Sequence, residues 1–326
     1  SPLPPRMKTS KTCGTNWQSG FQRICHLTTN CYNDMKGSCM AQIRLTLCKF
    51  LLFSLSLVQS VAVVADAVSA QAAMESATNP LLLLSSSQGD IYLELFPGEA
   101  PNNVATFIAL AGGESEFEDP ETQTSQNPQY FDGIRFHRVI RDFVIQAGSP
   151  SYHVLGAPET VLADEINANA LGLDQMPVLN PDGTFHEFLN IVDKADFETR
   201  ILEPLYQKMR IASNDEILRR QYEILEELQG LTVKSAYENQ GYEYTNRMRS
   251  RSITRGVIAL ANTGPNTNGA EFFISLQDAN WLTGKYTVIG KVVEGMEVVE
   301  IIGETPIDPS RYSSLSTVIY SIRQIN

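Results

Sequence analysis

Two blocks of short β-rich runs, residues 134–147 and 255–293, set the first limit on what this chain can fold into. In the second block "RGVIALAN", "AEFFISL" and "YTVIGKVV" are separated by the turn-rich "TGPNTNG" and by "QDANWLTGK". Apolar runs this short, bounded by Gly, Pro, Asn and Asp, read as strands between tight turns. Upstream, "NPLLLLSSSQGDIYLELFPGEAP" reads as a hairpin: a run at 81–86, a turn near 87–90, then alternation through Ile91, Leu93 and Leu95. "APNNVATFIALAGG" predicts a helix over 101–111, with Val104, Phe107, Ile108 and Ala111 on one face and Gly112-Gly113 as its stop. A second short helix is expected over 296–302, followed by a closing strand in "STVIYSIRQIN". Many short strands with few helices predict a mainly β fold, a closed barrel with helices at its ends.

Between the blocks, residues 167–250 have a different texture. "SNDEILRRQYEILEELQG" carries a capping box, Ser213 with Glu216, and a stripe of Ile217, Tyr222, Leu225 and Leu228 before Gly230. "TFHEFLNIVDKADFETRILEPLYQKMR" is also helical, with Pro204 interrupting or kinking it. The simplest account is a helical insertion, 167–250, inside a β body that spans 80–326.

Charge and cysteine narrow the function. Residues 73–326 hold 18 basic against 35 acidic side chains, so the body lacks the basic stripe that a nucleic-acid backbone requires. All five cysteines precede residue 49, none in a C-x-x-C pair, so no disulfide can staple the body and no metal site is expected. From Met40 the chain places Arg44 and Lys49 before an apolar run, Phe50 to Ala65, and then small residues. Ala65-Asp66-Ala67 and Ala70-Gln71-Ala72 both offer a cleavage signal, so 40–72 is expected to be a secretory signal peptide. The alternative is an uncleaved membrane anchor with the body outside the cytoplasm. Residues 1–39 fit neither region and are expected to be non-structural upstream sequence, with Met40 or Met35 the start.

The two strand blocks together resemble the cyclophilin-type peptidyl-prolyl cis–trans isomerases. The matching text is "YFDGIRFHRVIRDFVIQAG" and "RGVIALANTGPNTNGAEFFISLQDANWLTGKYTVIGKVVEGMEVVE", covering roughly 88–166 and 254–303. F-H-R-V-I, A-N-x-G-P-N-T-N-G and F-F-I are specific in this order and spacing. The resemblance implies an eight-stranded antiparallel barrel capped by two helices, an external substrate groove and no metal or organic cofactor. The implied activity is rotation about X–Pro bonds, assisting the folding of exported proteins, most simply in a periplasm. A proline-peptide-binding chaperone or scaffold with weak or no catalysis is the alternative.

Residue by residue, the resemblance assigns the catalytic role to Arg138. The proline slot would be lined by Phe143, Val144, Phe273 and Leu282, with Tyr286 at its margin. Gln146 matches an amide that contacts the substrate backbone and helps hold the arginine. Ala261 and Asn262 match the segment whose main chain grips the residue before proline. Trp281 matches the indole donor associated with cyclosporin-type cyclic peptides. His137 is read as a supporting residue, because isomerisation transfers no proton. Expected partners are proline-containing polypeptides, not nucleic acid, with a membrane involved only if the leader stays uncleaved. Four departures from the family pattern stand out: Glu271 where many members carry glutamine, Val144 where methionine is common, Thr263 for alanine, and Ala147-Gly148-Ser149 for Gly-Gly-Asp. An ionised Glu271 is expected either to pair with Arg138 or to orient it.

Overall fold

The structure, a computed structural model, describes residues 66–119, 122–158, 161–307 and 316–326. The proposed upstream segment 1–39 and most of the proposed leader, 40–65, lie outside them. Helix α1 (Ala67–Ala73) precedes the hairpin β1 (Leu81–Ser86) and β2 (Gly89–Leu95). Helix α2 (Pro101–Gly112) follows, then a small ribbon of β3 (Phe117–Glu118) with β4 (Ser125–Gln126) where the polar composition predicted only a loop. Next come β5 (Arg138–Ile140) and β6 (Val144–Ala147).

Residues 167–250 hold short helices: α3 (Lys194–Phe197), α4 (Glu203–Lys208), α5 (Asn214–Arg219), α6 (Gln221–Gly230) and α7 (Val233–Asn239). The chain then returns to β7 (Val257–Leu260), β8 (Phe272–Ser275), β9 (Val288–Glu294), helix α8 (Met296–Gly303) and β10 (Ile319–Gln324).

Eight strands form one antiparallel sheet in the order β10-β1-β2-β9-β7-β8-β6-β5. Alternation sends Val139, Ile145, Ile258, Phe272 and Ile274 inward to a core where the Phe107, Phe131 and Phe272 rings meet with centroids 4.9 to 5.6 Å apart. The barrel is an open half-barrel, not the closed one expected. The free edge of β5 is already taken, because Val139 and Ile307 exchange both backbone hydrogen bonds, at 2.9 and 3.0 Å. Strand β10 and the residues before it meet only the approach to β5, where Gly133, Ile134 and Phe136 share backbone hydrogen bonds with Thr317 and Ile319 around the Arg135–Val318 bridge.

The helical segment has its own apolar cluster around Leu173, Leu205, Val233 and Tyr237. Its details depart from the expected stripe. The helix breaks at Arg220 (φ −103°, ψ 16°), which shifts the phase of the turns beyond it. Ile224 and Leu228 therefore face inward, while Tyr222 is 79 % exposed and Leu225 half exposed. Ser213 does cap α5, accepting from the Glu216 N–H at 3.3 Å. Ahead of Pro204, which has no N–H to give, the chain widens into a π-helical turn, Glu198–Leu202.

Candidate active site

The β5–β6–β8 ladder builds one side of the site by register alone. Arg138 pairs with Gln146 across β5 and β6, and Gln146 pairs with Phe273 across β6 and β8. Because side chains alternate, the three project from the same outer face, in one row, while their neighbours fill the core. An arginine on a solvent-side strand face costs nothing to solvate. Here it is half-buried beside aromatic rings and held, its Nη1 donating to Gln146 Oε1 at 2.8 Å.

A cavity of about 250 Å³ opens over this row. Arg138, Phe143, Val144, Gln146, Ala261, Asn262, Phe273, Leu282 and Tyr286 line it, so nine of the residues singled out from the sequence converge there. Phe273 packs edge-on against Tyr286 at 5.5 Å between centroids. Trp281 does not line the cavity but stacks on Phe143 at 5.8 Å, forming the outside of that wall. Burial pushes the Tyr286 phenol up, with Arg138 opposing it, so the hydroxyl stays neutral at physiological pH.

Glu271 borders an adjacent cavity of about 330 Å³ together with Gln146, Ala261, Asn262 and Thr263. Pairing with Arg138, one of the two expected outcomes, is not what forms, because Gln146 stands between them. Glu271 accepts from Gln146 Nε2 and lies 3.0 Å from His137 Nε2. Gly148 makes this approach possible. Its φ of +86° and missing side chain let β6 pass the Ala270 carbonyl, which a Cβ would meet at 2.4 Å. Burial opposes ionisation of Glu271, yet the bond and charge of His137, with Gln146 and Ser149, outweigh it and hold the carboxyl below its usual range. His137 is buried, lines neither cavity and leaves Nδ1 without a partner.

Sequence reasoning missed the network that holds the "TGPNTNG" turn. Asn268 is fully buried, and the two N–H bonds of its amide are shared among oxygens of Asn103, Asp164 and Thr287, which lie 3.0 to 3.2 Å from the nitrogen. Asn262 in turn donates to the Lys285 carbonyl at 3.0 Å, tying the rim of the cavity to the next loop. The available signal was a cluster of asparagines between two apolar strands, which composition alone reads as a solvated turn. Among the described residues no group of three or more His, Cys, Asp or Glu is placed to hold a metal ion.

Known proteins supply the remaining comparison. Peptidyl-prolyl cis-trans isomerase B of Streptomyces anulatus is 29% identical over 238 residues, 72% of this chain and 90% of that protein. Peptidyl-prolyl cis-trans isomerase-like 1 of Rhizopus delemar is 26% identical, over 75% of this chain and 93% of its own length. A solved structure of a Cryptosporidium parvum cyclophilin type peptidyl-prolyl cis-trans isomerase, in the presence of the dipeptide Ala-Pro, covers 76% of this chain and 99% of its own. It matches with a TM-score of 0.41 at 18% identity. Residues 81–324 match the family described as cyclophilin type peptidyl-prolyl cis-trans isomerase. The chain belongs to the cyclophilin-type peptidyl-prolyl cis–trans isomerases.

Proposed function

We propose that the 250 Å³ cavity seats the proline ring of an X–Pro peptide and that Arg138 is its catalytic donor. One observation carries this reading: the guanidinium, held by Gln146 at 2.8 Å, borders the same apolar slot as Phe143, Phe273 and Leu282. Amide resonance raises a rotation barrier of ~18–20 kcal/mol about the X–Pro bond. In the twisted state the prolyl nitrogen pyramidalises and gains a lone pair. A fixed cationic donor aimed at that nitrogen stabilises the twisted form more than either planar form, which lowers the barrier. No bond is made or broken and no proton moves, so the reaction calls for no cofactor.

The other roles follow from position. Val144 and Tyr286 complete the slot, with Val144 a shallower wall than methionine would be. Ala261 and Asn262 offer main-chain groups to the residue before proline. An ionised carboxylate only accepts hydrogen bonds, so Glu271 forces Gln146 to present its NH₂ inward and its oxygen to Arg138. Glu271 is thus a positioning residue, and His137 steadies it. Trp281, at the outer wall, is the proposed donor to cyclosporin-type peptides.

The charge layout of 40–65 supports export and action on newly translocated chains. Helix α1 bears on where the leader ends: Ala70 is fully buried in a cluster with Leu81 and Tyr92, so the upstream Ala65-Asp66-Ala67 signal is the one that leaves this contact in place. We also read 167–250 as an insertion in the family domain. The test is isomerisation of a proline tetrapeptide by wild type and by Arg138→Ala, with and without cyclosporin. Arg138-dependent, cyclosporin-sensitive turnover is expected. Equal rates in the two proteins would sink the mechanism, and a folded but inactive wild type would favour a proline-binding module.

A further inference from the structure

The loop from β8 to β9 carries Leu282 and Tyr286 into the cavity and sets Trp281 against Phe143. It has no ladder of its own between Ser275 and Val288. The half-barrel anchors its first part, through the Ala279 N–H to the Ile253 carbonyl at 2.8 Å and the Ile253 N–H to Thr283 Oγ1 at 3.0 Å. Helical-segment residues hold it as well. The Tyr244 hydroxyl donates to the Gly284 carbonyl at 2.8 Å, and Asn280 Nδ2 donates to Glu187 Oε1 at 3.1 Å. The Lys285 ammonium lies 5.1 Å from the centre of the Tyr237 ring, a cation over a π face.

Contact at Gly284 is close. A Cβ there would fall 2.5 Å from a Leu173 methyl and 3.3 Å from the Tyr237 ring, and φ is +87°. Neither neighbour is free to retreat. Leu173 is fully buried, and Tyr237 is 1 % exposed with its hydroxyl donating to the Phe188 carbonyl at 2.7 Å. Burial also pushes the Lys285 amine down to about 8, with the charge of Arg200 adding to it, as befits a side chain enclosed between two packed parts.

We propose that the helical segment sets the width of the proline cavity, with Tyr244, Tyr237 and Glu187 as positioning residues that act through Gly284, Lys285 and Asn280. This rests on the reading of the cavity given above, and it assigns 167–250 a task at the site rather than a separate binding lobe. Losing one such anchor lets Leu282 and Tyr286 move away from Phe273. The ring is then held less well in ground and transition states alike, a uniform loss of binding that raises KM and spares kcat.

The test uses the full chain carrying Trp17→Phe, which leaves Trp281 as its single tryptophan. Tyr244→Phe removes one hydroxyl, and Glu187→Ala removes an exposed partner of the loop. Each is expected to raise KM for a proline tetrapeptide roughly 3- to 10-fold, the scale of one lost hydrogen bond, with kcat within about twofold. Trp281 emission should shift in both, with circular dichroism unchanged. Unchanged KM and emission in both variants would overturn the proposal, as would a fall in kcat at constant KM. If Tyr244→Phe fails to fold, Glu187→Ala at the surface decides alone by the same criteria. Full turnover by Arg138→Ala would strike the reading of the cavity instead, while the emission of Trp281, which needs no turnover, still decides whether the helical segment holds the wall.

Discussion

The two walls of the cavity are held by different physics. On the strand side, Arg138, Gln146 and Phe273 sit where the ladder puts them, one row across β5, β6 and β8. Backbone hydrogen bonds fix that row, and a one-residue slip would turn all three side chains into the core. On the loop side, the segment that carries Leu282 and Tyr286 packs at Gly284 against Leu173 and Tyr237 and accepts a hydrogen bond there from Tyr244, all remote from it in the chain. A ladder is insensitive to single side-chain changes, whereas a propped loop is as good as its props. The chemistry proposed for the ladder and the substrate fit proposed for the loop should therefore be separable by mutation.

The largest expected effect tests the ladder side. Arg138→Ala should lower kcat/KM by about 10²- to 10³-fold, the scale for losing one preorganised donor, with thermal stability nearly unchanged. A drop in kcat/KM of less than tenfold in the tetrapeptide assay would show that the row does not carry the chemistry. Arg138→Lys should recover little, since an ammonium lacks the guanidinium fork that Gln146 holds.

Gly284→Ala probes the loop side. It forces a side chain into left-handed backbone and against Leu173, so a loss of about 2 kcal/mol in urea unfolding is expected, with KM raised. Loss of stability with KM unchanged would separate the wall from its props and break the comparison.

A smaller effect is expected from Glu271→Gln, which bears on the ladder side through Gln146. With glutamine there, the Gln146 amide can flip, and kcat/KM should fall roughly 3- to 10-fold at neutral pH. The carboxyl of Glu271 is held below its usual range in the folded protein. Its contribution to stability is therefore complete above the ordinary carboxylate range and is lost as pH falls through the depressed value. Wild type should lose stability on acidification more steeply than Glu271→Gln, as read by urea unfolding at a series of pH values. Parallel curves would show that the carboxylate does no such work.

Smallest of all, Glu75→Gln should cost under about 1 kcal/mol, because Glu75 is exposed and solvent screens its ion pairs with the half-buried Arg251 and Lys291. A larger loss would mean that the segment after α1 supports the sheet more than its charges imply.

Much of this was legible in the residues. The hairpin at 81–95, the helix after Pro101 and the alternation through "RVIRDFVIQA" carry local signals that survive in the fold, because each satisfies its own backbone or its nearest strand. The nine cavity residues were legible for a different reason: they sit in the two stretches that resemble the family, anchored by motifs of specific order and spacing. The helical segment was read less well. Its stripe broke at Arg220, where a short tertiary turn overrode the local period and exposed Tyr222.

By itself, the sequence determined the strands of the main sheet and which side chains are candidates for the site, since those follow from period, turn residues and motif. Only the tertiary structure decided that the half-barrel stays open, with Ile307 bonded to the edge of β5 at Val139 and β10 reaching only the residues ahead of β5. It alone decided that Glu271 reaches Arg138 through Gln146 rather than directly, and that Leu173 and Tyr237 pack against the β8–β9 loop at Gly284. Those outcomes depend on distances between residues remote in the chain, and such distances are set by packing, not by any local preference.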